Sequence, residues 1–281
     1  MISKEEKKDL QKFALEIRIG TAEAIKARGF GHVGGSLSVA DVLSVLYGKE
    51  MKIDPKNPDM PERDKLVCSK GHAGPAVYAA LALKGYFPYE ELKTLNQPGT
   101  NLPSHCDRNK TVGIDMTTGS LGQGTSTAAG MALGDKIKKR DNRIFLFVGD
   151  GEIDEGQVWE AFMFAAAKKL SNLVVLIDNN KKQLDGYTKN ILDTGDLTAK
   201  MAAFGFDTQT IDGNDIEQIC DALEHTRAGG DKPYAIVLDT IKGKGIKEVE
   251  ETMANHSMNI TPEKGDEWIA QLKAERKALG E

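Results

Sequence analysis

An α/β fold with a mostly parallel sheet flanked by helices is predicted by three features of this 281-residue chain. Two continuous apolar runs, residues 144–148 and 173–177, have the composition of strands buried on both faces. A helical stretch over 158–169 lies between them. Strand, helix and strand within about 35 residues form a βαβ unit, with parallel strands and a right-handed crossover.

The remaining elements follow in order. The first 28 residues read as an amphipathic helix, with Leu10, Phe13, Ile17, Ala24 and Ile25 on one side, ended by Gly29 and Gly31. After a glycine-rich loop, Ser36 or Ser38 can cap a helix that runs through Val42 to Leu46. The proline-rich stretch 54–61 is a loop, and residues 66–69 form a short buried strand leading to Lys70, Gly71 and His72. A loop over 117–124 feeds a helix in which Gly130 and Gly134 lie four apart, a spacing that permits close helix contact inside the domain or across subunits. Further strands are expected near 207–211 and 235–239 with a helix over 215–227 between them, and a charged amphipathic helix closes the chain at about 262–279. No repeat or linker divides the sequence, so one domain over 1–281 is expected, with its core at about 10–256.

Composition excludes several functions. The net charge of −5 carries no basic footprint for nucleic acid. No apolar run of about 18 residues occurs, so no membrane span is expected. Cys68, Cys106 and Cys220 are odd in number and far apart, which fits neither a disulfide framework nor a zinc motif. The charged start is no signal peptide, and a cytoplasmic location is the expectation. Walker A and Gly-x-Ser-x-Gly patterns are both missing.

Ligands of open parallel sheets bind beyond the carboxyl ends of the strands. There the βαβ unit places Gly149, Asp150 and Gly151 beside Asp178, Asn179 and Asn180. Gly149 and Gly151 open like a dinucleotide fingerprint, but Asp154 stands where the third glycine belongs. A carboxylate repels a diphosphate unless a divalent cation lies between them, and Mg²⁺ is suited to Asp150 plus an Asn amide oxygen. Asp150 also reads as a plain turn residue before a helix. His32, His72, His105 and His256 sit in small-residue loops with room for a ligand, whereas His225 lies on a polar helix. A zinc site built from the loop histidines has no supporting spacing.

Gly149-Asp150-Gly151 followed by Asn179-Asn180 resembles the thiamine diphosphate signature, and Glu155 and Glu160 fall where that family carries them. Ser69-Lys70-Gly71-His72, the 118–124 loop and Lys242-Gly243-Lys244-Gly245 resemble transketolase in particular. The resemblance runs from the first helix to about His256 and covers only the N-terminal, diphosphate-binding third of that enzyme. It implies a thiamine diphosphate-binding α/β fold and a split transketolase, whose partner subunit carries the pyrimidine-binding and C-terminal domains, in an α2β2 assembly acting on sugar phosphates.

The resemblance further implies that Asp150 and Asn180 bind Mg²⁺ (or Ca²⁺ or Mn²⁺ in its place) through side chains, and Lys182 through its carbonyl. Gly149 and Gly151 approach the diphosphate. His72 and His256 hydrogen-bond the diphosphate or sugar, and His32 and His105 face the reacting carbons. Gly119 and Leu121 meet the aminopyrimidine, Leu184 packs beneath the cofactor, and Glu155 lies near the subunit interface. Two other readings are the α-subunit of a 2-oxo acid dehydrogenase and a non-catalytic thiamine diphosphate-binding module. The first is disfavoured by the Ser69–His72 and 118–124 motifs, the second by the retained loop histidines.

Overall fold

The computed structural model describes residues 2–280; Met1 and Glu281, the two ends of the expected 1–281 unit, lie outside the described residues. Helix α1 (Lys4–Arg28) starts at a reciprocal cap, in which Ser3 Oγ accepts from the Glu6 N–H and the Glu6 carboxylate accepts from the Ser3 N–H. It stops at Gly29, whose φ of +77° suits the left-handed turn that ends many helices. Leu10, Ile17, Ala24 and Ile25 are buried on one face as expected, with Phe13 half-buried beside them.

Five strands, β1 (Lys65–Cys68), β2 (Ile144–Gly149), β3 (Leu173–Asn179), β4 (Asp207–Asp212) and β5 (Tyr234–Asp239), form a sheet in the order β1-β2-β3-β5-β4. Every neighbouring pair is parallel. β2 and β3 are central because their side chains are apolar in both directions, so each face can carry a layer of helices. Phe145, Phe147, Val174 and Leu176 join the core shared with α1, α2 (Ala40–Val45) and α3 (Gly74–Lys84). Leu146, Val148, Val175 and Ile177 point the other way, into a core with α4 (Gln123–Ile137), α5 (Gly156–Ala167) and α6 (Leu197–Ala203). Helices α7 (Ile216–His225) and α8 (Pro262–Ala278) complete the first layer through Ile219, Leu223, Trp268 and Leu272. β4, at one edge, is polar and half-exposed, whereas β1 at the other edge is mostly buried.

Some expectations are corrected. Neither Ser36 nor Ser38 caps α2, which starts after Val39 without a side-chain cap. Ser36 lies inside a short helix, Gly34–Leu37, and donates to the His32 carbonyl. Ser38 reaches across the sheet to Asp178 instead. Gly130 and Gly134 pack against nothing within the chain, since an added Cβ at either would meet no atom within 4 Å. All three cysteines are free and buried. Among the described residues, no helix is long and apolar enough to cross a membrane.

Candidate active site

Parallel strands deliver their following loops to one side of the sheet, and that direction decides where the chemistry collects. β1 runs into Lys70 and His72, β2 into Asp150 and Gly151, β3 into Asn180 and Lys182, and β5 into Lys242. All of these line one cavity, together with Gly149 at the end of β2. Loops from elsewhere supply His105, Gly119, Leu121, Leu184 and His256 to the same walls. Two expected residues are not among the lining. His32 stands among the lining histidines, its ring centroid 5.0 Å from His105 and 5.4 Å from His256. Glu155 is exposed, immediately before α5.

Distant chain segments are joined at this point by small devices. An antiparallel ribbon pairs Phe30–Gly31 with Met258–Asn259, which sets His32 beside His256. Gly119 has φ +146°, and a side chain there would press on the His105 ring at 3.2 Å. A Cβ on Gly151 would lie 2.8 Å from the Gln183 side chain, which would have to shift to admit it.

Buried charge is dense here. Asp150 Oδ1 accepts from the Gly151 N–H, and its Oδ2 accepts from the Lys181 N–H and the Thr188 hydroxyl. Burial and the neighbouring Asp178 nonetheless push its pKa up to about 6. For Asp178, burial works to raise the pKa, but the Lys70 ammonium and its hydrogen-bond donors outweigh burial and hold it below the usual carboxylate range. Lys242 Nζ donates to the Lys182 carbonyl at 2.8 Å; burial and then Lys70 lower its pKa to about 8. Burial, more than neighbouring charge, depresses the histidines: His32 and His256 titrate at about 4, His105 is lowered, and His72 lies well below its ordinary range. At neutral pH each is a neutral imidazole with one donor and one acceptor.

Sequence reasoning missed Lys70, Glu152, Gln183 and Lys242 among the lining residues. Lys70 and Lys242 stood inside motifs already singled out, and a lysine beside small-residue loops was the available signal. Glu152 left no such mark. Its Oε1 accepts from Ser69 Oγ and the Gly122 N–H, and its Oε2 accepts from the Gly149 N–H, so one buried carboxylate ties together three loops of the cavity. Burial raises its pKa.

The donor chemistry separates two metal hypotheses. Among the described residues, no three His, Cys, Asp or Glu side chains are grouped to hold a metal, which leaves the histidine zinc site without support. Asp150, Asn180 and Lys182 line the same cavity and carry carboxylate, amide and carbonyl oxygens, hard donors of the kind that fits Mg²⁺.

Residues 10–278 match the family model described as transketolase, thiamine diphosphate binding domain. A 6-deoxy-6-sulfo-D-fructose transketolase subunit from Clostridium sp. strain MSTE9 is 54% identical over 96% of this chain and 98% of its own length. One of the subunits of an apulose-4-phosphate transketolase from Actinobacillus succinogenes is 41% identical, covering 78% of this chain and 79% of its own. The crystal structure of transketolase from Campylobacter jejuni superposes with a TM-score of 0.88 at 31% identity, over 98% of this chain but 43% of that one. The chain thus spans nearly all of the first relative and under half of the full-length enzyme.

Proposed function

The chain belongs to the transketolase family through its thiamine diphosphate-binding domain, and from that premise we propose that it is the diphosphate- and Mg²⁺-holding subunit of a split transketolase. The observation that carries this reading is the convergence of Asp150, Asn180 and Lys182 with three neutral histidines on one cavity at the strand ends. Asp150 and Asn180 hold the cation through side-chain oxygens and Lys182 through its carbonyl, with Ca²⁺ or Mn²⁺ as substitutes. Gly149 and Gly151 let backbone approach the diphosphate, and His72 and His256 donate to the diphosphate or the sugar. Gly119 and Leu121 meet the aminopyrimidine, and Leu184, 63% exposed, offers an apolar surface beneath the cofactor. Glu155, exposed and away from the lining, belongs to a contact with another subunit.

Bound thiamine diphosphate supplies a nucleophilic carbon and an electron sink for breaking a carbon–carbon bond next to a carbonyl. This chain's own residues bind, orient and exchange protons. His105, with His32 beside it, accepts a proton from a substrate hydroxyl and returns it, a role open to an imidazole that is neutral at pH 7. A partner subunit with the pyrimidine-binding and C-terminal domains completes the site, in an α2β2 assembly.

The overall reaction is transfer of a two-carbon ketol unit from a ketose to an aldose phosphate. The relative at 54% identity favours a ketose donor whose terminal anion is a sulfonate, 6-deoxy-6-sulfo-D-fructose, over one ending in phosphate. The test is to assay the chain alone and with the partner subunit, with thiamine diphosphate, Mg²⁺ and either sulfofructose or fructose 6-phosphate. Turnover only in the mixture, and faster with sulfofructose, is expected. Full activity of the isolated chain overturns the split-enzyme reading, and a preference for the phosphate overturns the substrate reading.

A further inference from the structure

Asp178 is the most deeply buried carboxylate at the strand ends, with no solvent exposure, yet it does not line the cavity. Its oxygens are already engaged. Oδ1 accepts from the Thr240 hydroxyl; Oδ2 accepts from the Ser38 hydroxyl, the Lys70 ammonium and the Asn180 amide nitrogen. With three donors on Oδ2, one on Oδ1 and no exposure to the cavity, Asp178 is not itself placed to take a ligand.

The contact with Asn180 has a chemical consequence. An amide presents an acceptor at one end and two donors at the other, and only the oxygen end can face a cation. A carboxylate accepts and never donates, so Asp178 draws the Asn180 Nδ2 toward itself, at 2.8 Å. The Asn180 Oδ1 is thereby turned the opposite way, where it meets the Lys182 N–H at 3.2 Å beside the cavity. Ser38, Thr240 and Lys70 come from three other segments of the chain and hold the carboxylate in place, which makes its orientation a product of the whole fold.

We propose that Asp178 is a positioning residue that sets the polarity of the Asn180 amide, so that oxygen and not nitrogen is presented to the divalent cation. This rests on the reading of Asn180 as a cation ligand. In the complex with thiamine diphosphate and the partner subunit, Mn²⁺ binding is measured by electron paramagnetic resonance for the wild type, Asp178→Asn, Asp178→Leu and Asp178→Leu/Asn180→Asp. An amide at position 178 keeps its oxygen toward the Lys70 ammonium, and the Asn180 nitrogen shares that oxygen, so Asp178→Asn retains most of the affinity. Leucine offers no acceptor, the Asn180 amide loses the partner that fixes its direction, and loss of an outer partner of this kind weakens metal binding about 10- to 100-fold. In Asp178→Leu/Asn180→Asp the net charge of the wild type is restored and the carboxylate at position 180 presents oxygen at either end, so it needs no partner to orient it and recovers most of the lost affinity. A purely structural role for Asp178 predicts no such recovery. Wild-type affinity in Asp178→Leu overturns the proposal. If that single variant does not fold, Asp178→Leu/Asn180→Asp decides alone: tight Mn²⁺ binding supports the proposal, and a folded complex without it overturns it. A wild-type complex with no affinity for Mn²⁺ is a different result, which overturns the cation site itself and the role of Asp178 with it.

Discussion

Burial keeps the imidazoles around the cavity neutral, so each offers one donor and one acceptor. His105 lines the cavity, and on the proposed function it is the group that meets a substrate hydroxyl. His105→Ala is expected to lower kcat of the reconstituted enzyme by about 10²- to 10⁴-fold, the usual share of a general acid–base group. Cofactor affinity measured by calorimetry should change far less; an equal loss in both assigns His105 to binding. His32 gives a prediction about pH. Its folded pKa of about 4 lies below the ordinary 6.5, so the unfolded chain binds the extra proton between those values. The associated stability is fully present above pH 6.5 and is lost as the pH falls toward 4. His32→Gln should therefore flatten the dependence of the melting temperature on pH across that window in the cofactor-free chain. An unchanged slope shows that His32 is not held neutral. At this scale the sequence was informative where glycine flanked a histidine. It was silent on Glu152, because nothing in a local window tells a buried carboxylate from a solvated one.

Between single residues and the fold lie the loops and helices that bring them together. Glu152 ties the turn after β2 to the loops around Ser69 and Gly122. Glu152→Ala leaves three donors without their partner. Each buried unsatisfied group costs about 1–3 kcal/mol and each kcal/mol is worth about 2–4 °C in a chain of this size, so a fall in melting temperature of at least about 6 °C is expected by calorimetry. A fall below about 2 °C on that scale means the loops hold their arrangement without it. The outer face of α4 behaves in the opposite way. Space is open at Gly130, and Gly130→Ala should stabilise the chain by about 0.5–1 kcal/mol through the unfolded state, read as a higher denaturation midpoint. Helices α1, α5, α7 and α8 were legible from their spacing, but α3 was not: its residues 74–82 are all buried, so it shows no polar face to read. The short helix Gly34–Leu37 and the uncapped start of α2 were not, since backbone bonds there depend on distant partners such as the Asn255 carbonyl, which accepts from the Gly34 N–H.

At the scale of the whole molecule, the chain presents a cavity whose wall includes the largely exposed Leu184, and it spans under half of the full-length transketolases it matches. Light scattering of the chain mixed with its partner subunit should give the mass of two copies of each; a mass of one plus one contradicts the α2β2 assembly. What the sequence determined by itself was the order of the five strands along the chain, the parallel βαβ centre and the sheet edge at which the cavity lies. Those follow from local periodicity and from chain direction, both of which a linear string records. Only the tertiary structure decided which charges face each other there. Lys70 and Asp178 are 108 residues apart and Ser38 and Asp178 are 140 apart. Their pairing, and with it the burial that shifts the histidines and Asp150, exists only once the strands are side by side.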